Sequence, residues 1–274
     1  MLWEMSGALE ISGPPGGLFD DDIVMRVRGA GPDAVLTWRA RYRDDDDRVW
    51  RSAAARSEDL ATRWVPAKDG TGTIAALRSL RPVSIELRAE RADGRCAART
   101  LTRPFAGEGV CTRRWRDGGL AATLHVPAGA DACATVVIDA TAGVTQAVVA
   151  ALAAPLLASR GVLVLAVGPV RGRAGAAGPL ELACERLVAL PGASGEVVVL
   201  PALDPFEDGA CGAGPGAPAD ANDRVGPGAP AGGAVVLPPG VGARDPQQAA
   251  GARVVAWDAL LLRLGARPRE RAAP

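Results

Sequence analysis

Residues 162–167 read VLVLAV, six apolar side chains in a row. A half-buried strand alternates apolar and polar positions, and an amphipathic helix repeats its apolar face every three to four residues. An unbroken apolar run of this length instead fits a strand buried on both faces, as in a parallel sheet. Working outward, residues 145–159 read as a helix, with Gly161 as its stop just ahead of the run. Residues 120–126 (LAATLHV) and 135–139 (TVVID) read as strands before that helix. Residues 180–189 read as a second helix, and 196–200 (EVVVL) as another buried strand. Strand, helix, strand, helix, strand is the order of an α/β layer with crossover connections.

The first part of the chain has a different period. Residues 22–28 (DIVMRVR), 34–42 (AVLTWRARY), 84–90 (SIELRAE) and 95–101 (RCAARTL) alternate, as strands with one buried face do. Asp93-Gly94 between the last two is a hairpin signal, because both residues tolerate positive φ. This pattern predicts a β-sandwich over residues 1–112 and an α/β domain over 113–274, built on a shortened parallel sheet. The acidic run Asp44–Asp47 falls between strands and reads as a solvated loop; a calcium site is the alternative, although EF-type spacing and a closing Glu are absent.

Between Gly209 and Pro246, seventeen of 38 residues are Gly or Pro. Such a stretch buries too little surface to offset its ordering entropy, which predicts an irregular surface loop. A last helix should follow, with Asp245 as N-cap, Pro246 at its first position and Gly265 beyond its end. Val254, Trp257, Leu261 and Leu264 then share one face, which packs on the sheet.

Charge and cysteine content narrow the classes. The chain has 31 basic and 31 acidic residues, so no net field attracts it to nucleic acid or to an anionic membrane. Lys68 is the only lysine, and the arginines, alanines, glycines and prolines read as the product of GC-rich codons. Cys96, Cys111, Cys133, Cys184 and Cys211 are far apart and odd in number. That argues against a disulfide framework or a zinc site and for a reducing, cytoplasmic setting. The N-terminus carries acids where a signal peptide needs basic residues, and the longest apolar runs are too short to span a bilayer.

Several motifs carry a family resemblance. Residues 46–54 (DDRVWRSAA) are similar to an aspartate-rich turn leading into Trp-x-Ser-x-Ala, with Trp50, Ser52 and Ala54 in the matching positions. Residues 75–82 (AALRSLRP), 109–127 (GVCTRRWRDGGLAATLHVP) and 154–167 (APLLASRGVLVLAV) continue the match in order. The chain resembles the acyl-CoA thioesterase and bile acid-CoA:amino acid N-acyltransferase family over about residues 5–200. That resemblance implies an immunoglobulin-like domain followed by an α/β-hydrolase-like domain, no cofactor or metal, and an acyl-CoA or related thioester as partner.

The chemistry departs from the family. The resemblance places a Gly-x-Ser-x-Gly or Gly-x-Cys-x-Gly elbow after the strand at 197–200, where backbone N–H groups hold an oxyanion. Here PALD (201–204) follows, with no nucleophile, and Pro201 removes a backbone donor. Cys211, in GACGAG (209–214), is the candidate nucleophile, with an inert loop thiol as the alternative. Asp204 and Asp208 are the candidate acids. His125, the only histidine, precedes them all, whereas hydrolases of this class end their triad with it. It reads either as a relocated base or as a half-buried histidine bonded to a backbone carbonyl. Ser194, in GASG (192–195), reads as a turn residue. Arg171 and Arg173 are possible CoA-phosphate contacts. The expected activity is thioester hydrolysis or acyl transfer, with a catalytically silent binding module as the alternative.

Overall fold

The computed structural model describes residues 8–14, 16–31, 33–57, 60, 65–66, 75–117, 120–129, 132–168, 178–202 and 248–268. Among them the chain is mostly β-sheet, in several sheets, with three helices. No helix among the described residues is long and apolar enough to cross a membrane. Contacts divide the chain into two units, with the break after Phe105.

The first unit holds a two-stranded antiparallel sheet, β1 (Glu10–Ser12) with β2 (Arg26–Arg28). It also holds a five-stranded antiparallel sheet of β3 (Leu36–Arg43), β4 (Val49–Ala54), β5 (Val65–Pro66), β6 (Val83–Arg91) and β7 (Cys96–Arg103), in the order β5-β4-β3-β6-β7. The alternation read in the sequence sets the two faces. Trp38, Ala40 and Tyr42 of β3 and Val83, Ile85, Leu87 and Ala89 of β6 are buried, while Arg39, Arg41, Arg43 and Arg88 face water. Gly94, at φ 84°, turns β6 into β7 where the Asp-Gly signal expected it. Of residues 22–28, only Arg26–Arg28 is strand. Ile23 and Met25 are buried without ladder bonding of their own, and Phe19 stacks on Phe105 and meets Tyr42 edge-on.

The acidic turn is exposed at Asp45, Asp46 and Asp47, as a solvated loop is, but Asp44 departs from that expectation. Asp44 is buried, and its carboxylate accepts hydrogen bonds from the backbone N–H groups of Asp46, Arg48 and Ala76 and from Nε1 of Trp50, at 2.9–3.0 Å. Asp45 accepts from the N–H and hydroxyl of Ser79, and Asp46 pairs with Arg78. Ser52 donates to the carbonyl of Leu60. Asp44 and Asp45, with the motif residues Asp46, Trp50 and Ser79, therefore tie the β3–β4 turn to the 75–79 segment. Among the described residues no group of three or more His, Cys, Asp or Glu side chains is arranged to hold a metal ion.

The second unit is built on a mixed sheet of β8 (Cys111–Asp117), β9 (Leu120–Val126), β10 (Ala134–Asp139), β11 (Val162–Val167) and β12 (Val197–Pro201). Its order is β12-β10-β11-β9-β8, with β12, β10 and β11 parallel and β9 and β8 antiparallel at one end. The sheet is thus not wholly parallel. β8 pairs with β9 along its length, so residues 106–112 belong with this unit rather than with the sandwich expected to end at 112.

Helix α1 (Val144–Ser159) joins β10 to β11, and α2 (Pro179–Val188) joins β11 to β12. Ala183 and Leu187 of α2 pack on Leu120, Leu124, Val137, Leu163, Leu165 and Val167, one face of the sheet. The other face, with Val136, Ile138, Val162 and Val164, is covered by α1, which is apolar and buried almost all round. The hydroxyl of Ser159 donates to the carbonyl of Pro155 and accepts from the N–H of Gly107. Gly161, at φ 97°, turns the chain into β11. α3 (Gln248–Arg263) ends before Gly265, at φ 61°, with Trp257, Leu261 and Leu264 buried. The Val254 side chain, Asp245 and Pro246 lie outside the described residues.

Candidate functional site

In open α/β sheets, ligands bind beyond the carboxyl ends of the strands, where successive connections leave in opposite directions. β10 is that point here: the chain passes from it to β11 on one side and then returns past it to β12 on the other. The edge is held by ladder bonds that run on past the strands. The N–H of Ala140 donates to the carbonyl of Val167 at 2.9 Å, and that of Ala202 to the carbonyl of Asp139 at 2.8 Å. Asp139 closes a turn, its carboxylate accepting from the N–H of Thr141 at 3.0 Å and from its hydroxyl at 2.6 Å. Gly143 then caps α1 with no side-chain hydrogen bond. Asp139 and Thr141 were not singled out in the sequence, where they read only as the end of a strand. Their sole signal was the position of TVVID ahead of a helix.

Of the sequence candidates, His125 and Ser194 are described. Cys211, Asp204, Asp208, Arg171, Arg173 and the 209–246 loop lie outside the described residues. His125 is in register with Thr112 on β8 and Val164 on β11, and Val164 is in turn opposite Val136 on β10. It therefore stands at mid-sheet, three residues short of Asp139, a distance of roughly 10 Å along the strand. The ring is buried, with Nδ1 3.0 Å from the hydroxyl oxygen of Thr112, a side chain rather than a backbone carbonyl. Burial disfavours the imidazolium and brings the pKa down to about 4. The ring is neutral at physiological pH and a weak base.

Ser194 lies at the opposite end of the parallel strands. Its hydroxyl donates to the carbonyl of Glu196 at 3.1 Å and lies 2.9 Å from the hydroxyl of Thr135, at the start of β10, which also accepts from the Ser194 N–H. These contacts close the turn from α2 into β12. The described cysteines Cys96, Cys111, Cys133 and Cys184 are all free, and burial pushes the Cys184 thiol up, which keeps it protonated and unreactive.

No protein-family model matches this chain, and no curated protein matches it in sequence.

Proposed function

We propose that the chain is a catalytically silent relative of the acyl-CoA thioesterase and bile acid-CoA:amino acid N-acyltransferase family. In this reading an immunoglobulin-like domain precedes a shortened α/β-hydrolase-like domain, which binds an acyl thioester at the carboxyl edge of β10 and β12 without hydrolysing it. The observation that carries the silence is the state of the only histidine. A general base must lie within hydrogen-bond reach of the proton it takes, and its pKa must lie near the working pH. His125 is buried at mid-sheet, engaged by Thr112, with its pKa down to about 4.

The binding half of the proposal has separate support. In α/β-hydrolases an N–H of the loop between the third strand and its helix helps hold the oxyanion. In this reading the Asp139–Gly143 turn, which follows β10 beside the end of β12, is the counterpart of that loop. The motif residues Trp50, Ser52 and Ala54 are buried parts of the first unit's sheet, as expected of a retained domain whose role is structural. The scattered free thiols fit a cytoplasmic setting.

The test is calorimetric binding and release of free thiol with a panel of acyl-CoAs, short to long, for the wild type and Cys211→Ala. Saturable binding with no thiol release in either protein is expected. Turnover that is lost in Cys211→Ala would replace this reading with a cysteine thioesterase. No binding at any chain length would remove the thioester reading altogether.

A further inference from the structure

The outer face of the five-stranded sheet concentrates cations in a chain that carries no net charge. Read across β4, β3, β6 and β7, one row of this face is Ala53, Arg39, Arg88, Ala98, and the next is Arg51, Arg41, Glu86, Thr100. Arg39 is directly opposite Arg88, and Arg41 is directly opposite Arg51. Like charges opposite one another destabilise an antiparallel pair, so the arrangement works against the fold unless an anion joins it. The local acids offset it only in part. Glu86 binds Arg41 at 2.5 Å, and Glu90 lies 3.7 Å from Arg88. Among the described residues Arg39 and Arg51 have no ion pair.

The same rows explain a hollow. Short side chains, Ala53 and Ala98, flank the central arginine pair, and Thr37 and Thr100 border it, so long arms surround a low floor. The result is a groove of about 860 Å³ lined by these residues. That is within the range of small-molecule sites. Arg39 and Arg88 are directly opposite on adjacent strands, and Arg51 is diagonal to Arg39, about 7–8 Å away between backbones, a spacing that the long arginine side chains can bridge to meet at one small anion. The planar guanidinium fork matches phosphate oxygens two at a time.

We propose that this face binds a small phosphorylated ligand of the pyrophosphate or organic polyphosphate class, held by Arg39, Arg51 and Arg88, with Thr37 and Thr100 as hydroxyl donors. The chemistry of the face favours this occupant over macromolecules. No Trp, Tyr or Phe lines the groove to anchor a protein partner or to stack on bases. The proposal is independent of the thioester reading and concerns a different unit of the chain.

The full chain would be titrated with inorganic pyrophosphate and with tripolyphosphate by calorimetry, and in parallel by thermal unfolding. Saturable binding at one site is expected, weakened at least tenfold in the Arg39→Gln/Arg88→Gln double variant and unchanged in Arg113→Gln, on an exposed position of β8. Without ligand the double variant should unfold at a temperature no lower than the wild type, because the opposed charges are gone; lost binding cannot then be put down to misfolding. Equal affinity in wild type and double variant, or no saturable binding in the wild type, would overturn the proposal. So would tighter binding of poly-glutamate than of tripolyphosphate, which would mark the face as a dock for acidic protein segments.

Discussion

The turn at Asp44 and the middle of the β8–β9 hairpin each bury an ionisable side chain, with opposite results. Asp44 meets four N–H donors, three from the backbone and one from Trp50. Burial alone would raise its carboxyl, but these hydrogen bonds outweigh burial and hold it below the usual carboxylate range. Its retained charge acts on its surroundings: burial first, and then the Asp44 carboxylate, push the Tyr42 phenol well above its ordinary value. His125 has a single hydrogen-bond partner among the described residues, the Thr112 hydroxyl, and its burial disfavours the charged ring instead. Whether a buried group stays ionised depends on the partners that suit its charged form, donors for a carboxylate and acceptors or negative charge for an imidazolium, rather than on burial itself. One site became a structural anchor, and the other became a neutral core residue where a catalytic base was a candidate.

The sharpest way to break this comparison is to remove the anchor. Asp44→Ala leaves four donors without their acceptor, and hydrogen bonds to a charged group are each worth about 1.5–3 kcal/mol, some of it recovered by water at this turn. We expect a loss of about 4 kcal/mol in chemical denaturation, with Asp44→Asn nearly as damaging because its amide would face donors with donors. A loss below about 1 kcal/mol would show that the turn holds itself.

Acid separates the two groups by window. The folded pKa of His125 is depressed from 6.5 to about 4, so its neutral form contributes full stability above pH 6.5. About 3 kcal/mol is lost as pH falls from 6.5 to 4. Asp44 is also depressed from an ordinary value of 3.8, so its contribution is intact above that value and is lost only as pH falls further, through its folded pKa. His125→Leu should therefore flatten the stability profile between pH 6.5 and 4 and leave the steeper acid limb in place. An unchanged slope in that window would mean the ring is already protonated in the folded protein.

The smallest effect should come from Ser194. Ser194→Ala removes hydroxyl bonds to Thr135 and Glu196 but keeps the backbone bond to Thr135. About 1 kcal/mol of stability should go, with acyl-CoA binding unchanged. A loss of binding would move the ligand to the amino end of the parallel strands and against the switch-point argument.

Much of the second unit was legible in advance, because hydrophobic period is a property of a few neighbouring residues. VLVLAV is β11, TVVID lies in β10, and the helices before and after β11 are where their patterns put them. The sequence does not show β4 and β8 as strands. In β4 the alternating positions are filled by Arg51, Ser52 and Ala53, and in β8 the run of arginines around Trp115 hides the period; both depend on pairing with β3 and β9 for their form. The active-site candidates in 203–247 fall outside the described residues, while the Asp139–Thr141 turn carried no motif of its own.

By itself the sequence determined the order of strands and helices from β9 to β12, the change of architecture between the two units and the absence of a serine or cysteine at the expected elbow. Each of these is written in short windows or in plain residue identity. Tertiary structure alone decided that Asp44 is an anchor, since one of its donors comes from Ala76 on another segment. It also decided that His125 is neutral and that scattered arginines form one cationic face. Charge state and local field depend on which groups are brought within a few ångströms of one another, and strand register sets those neighbours across dozens of intervening residues.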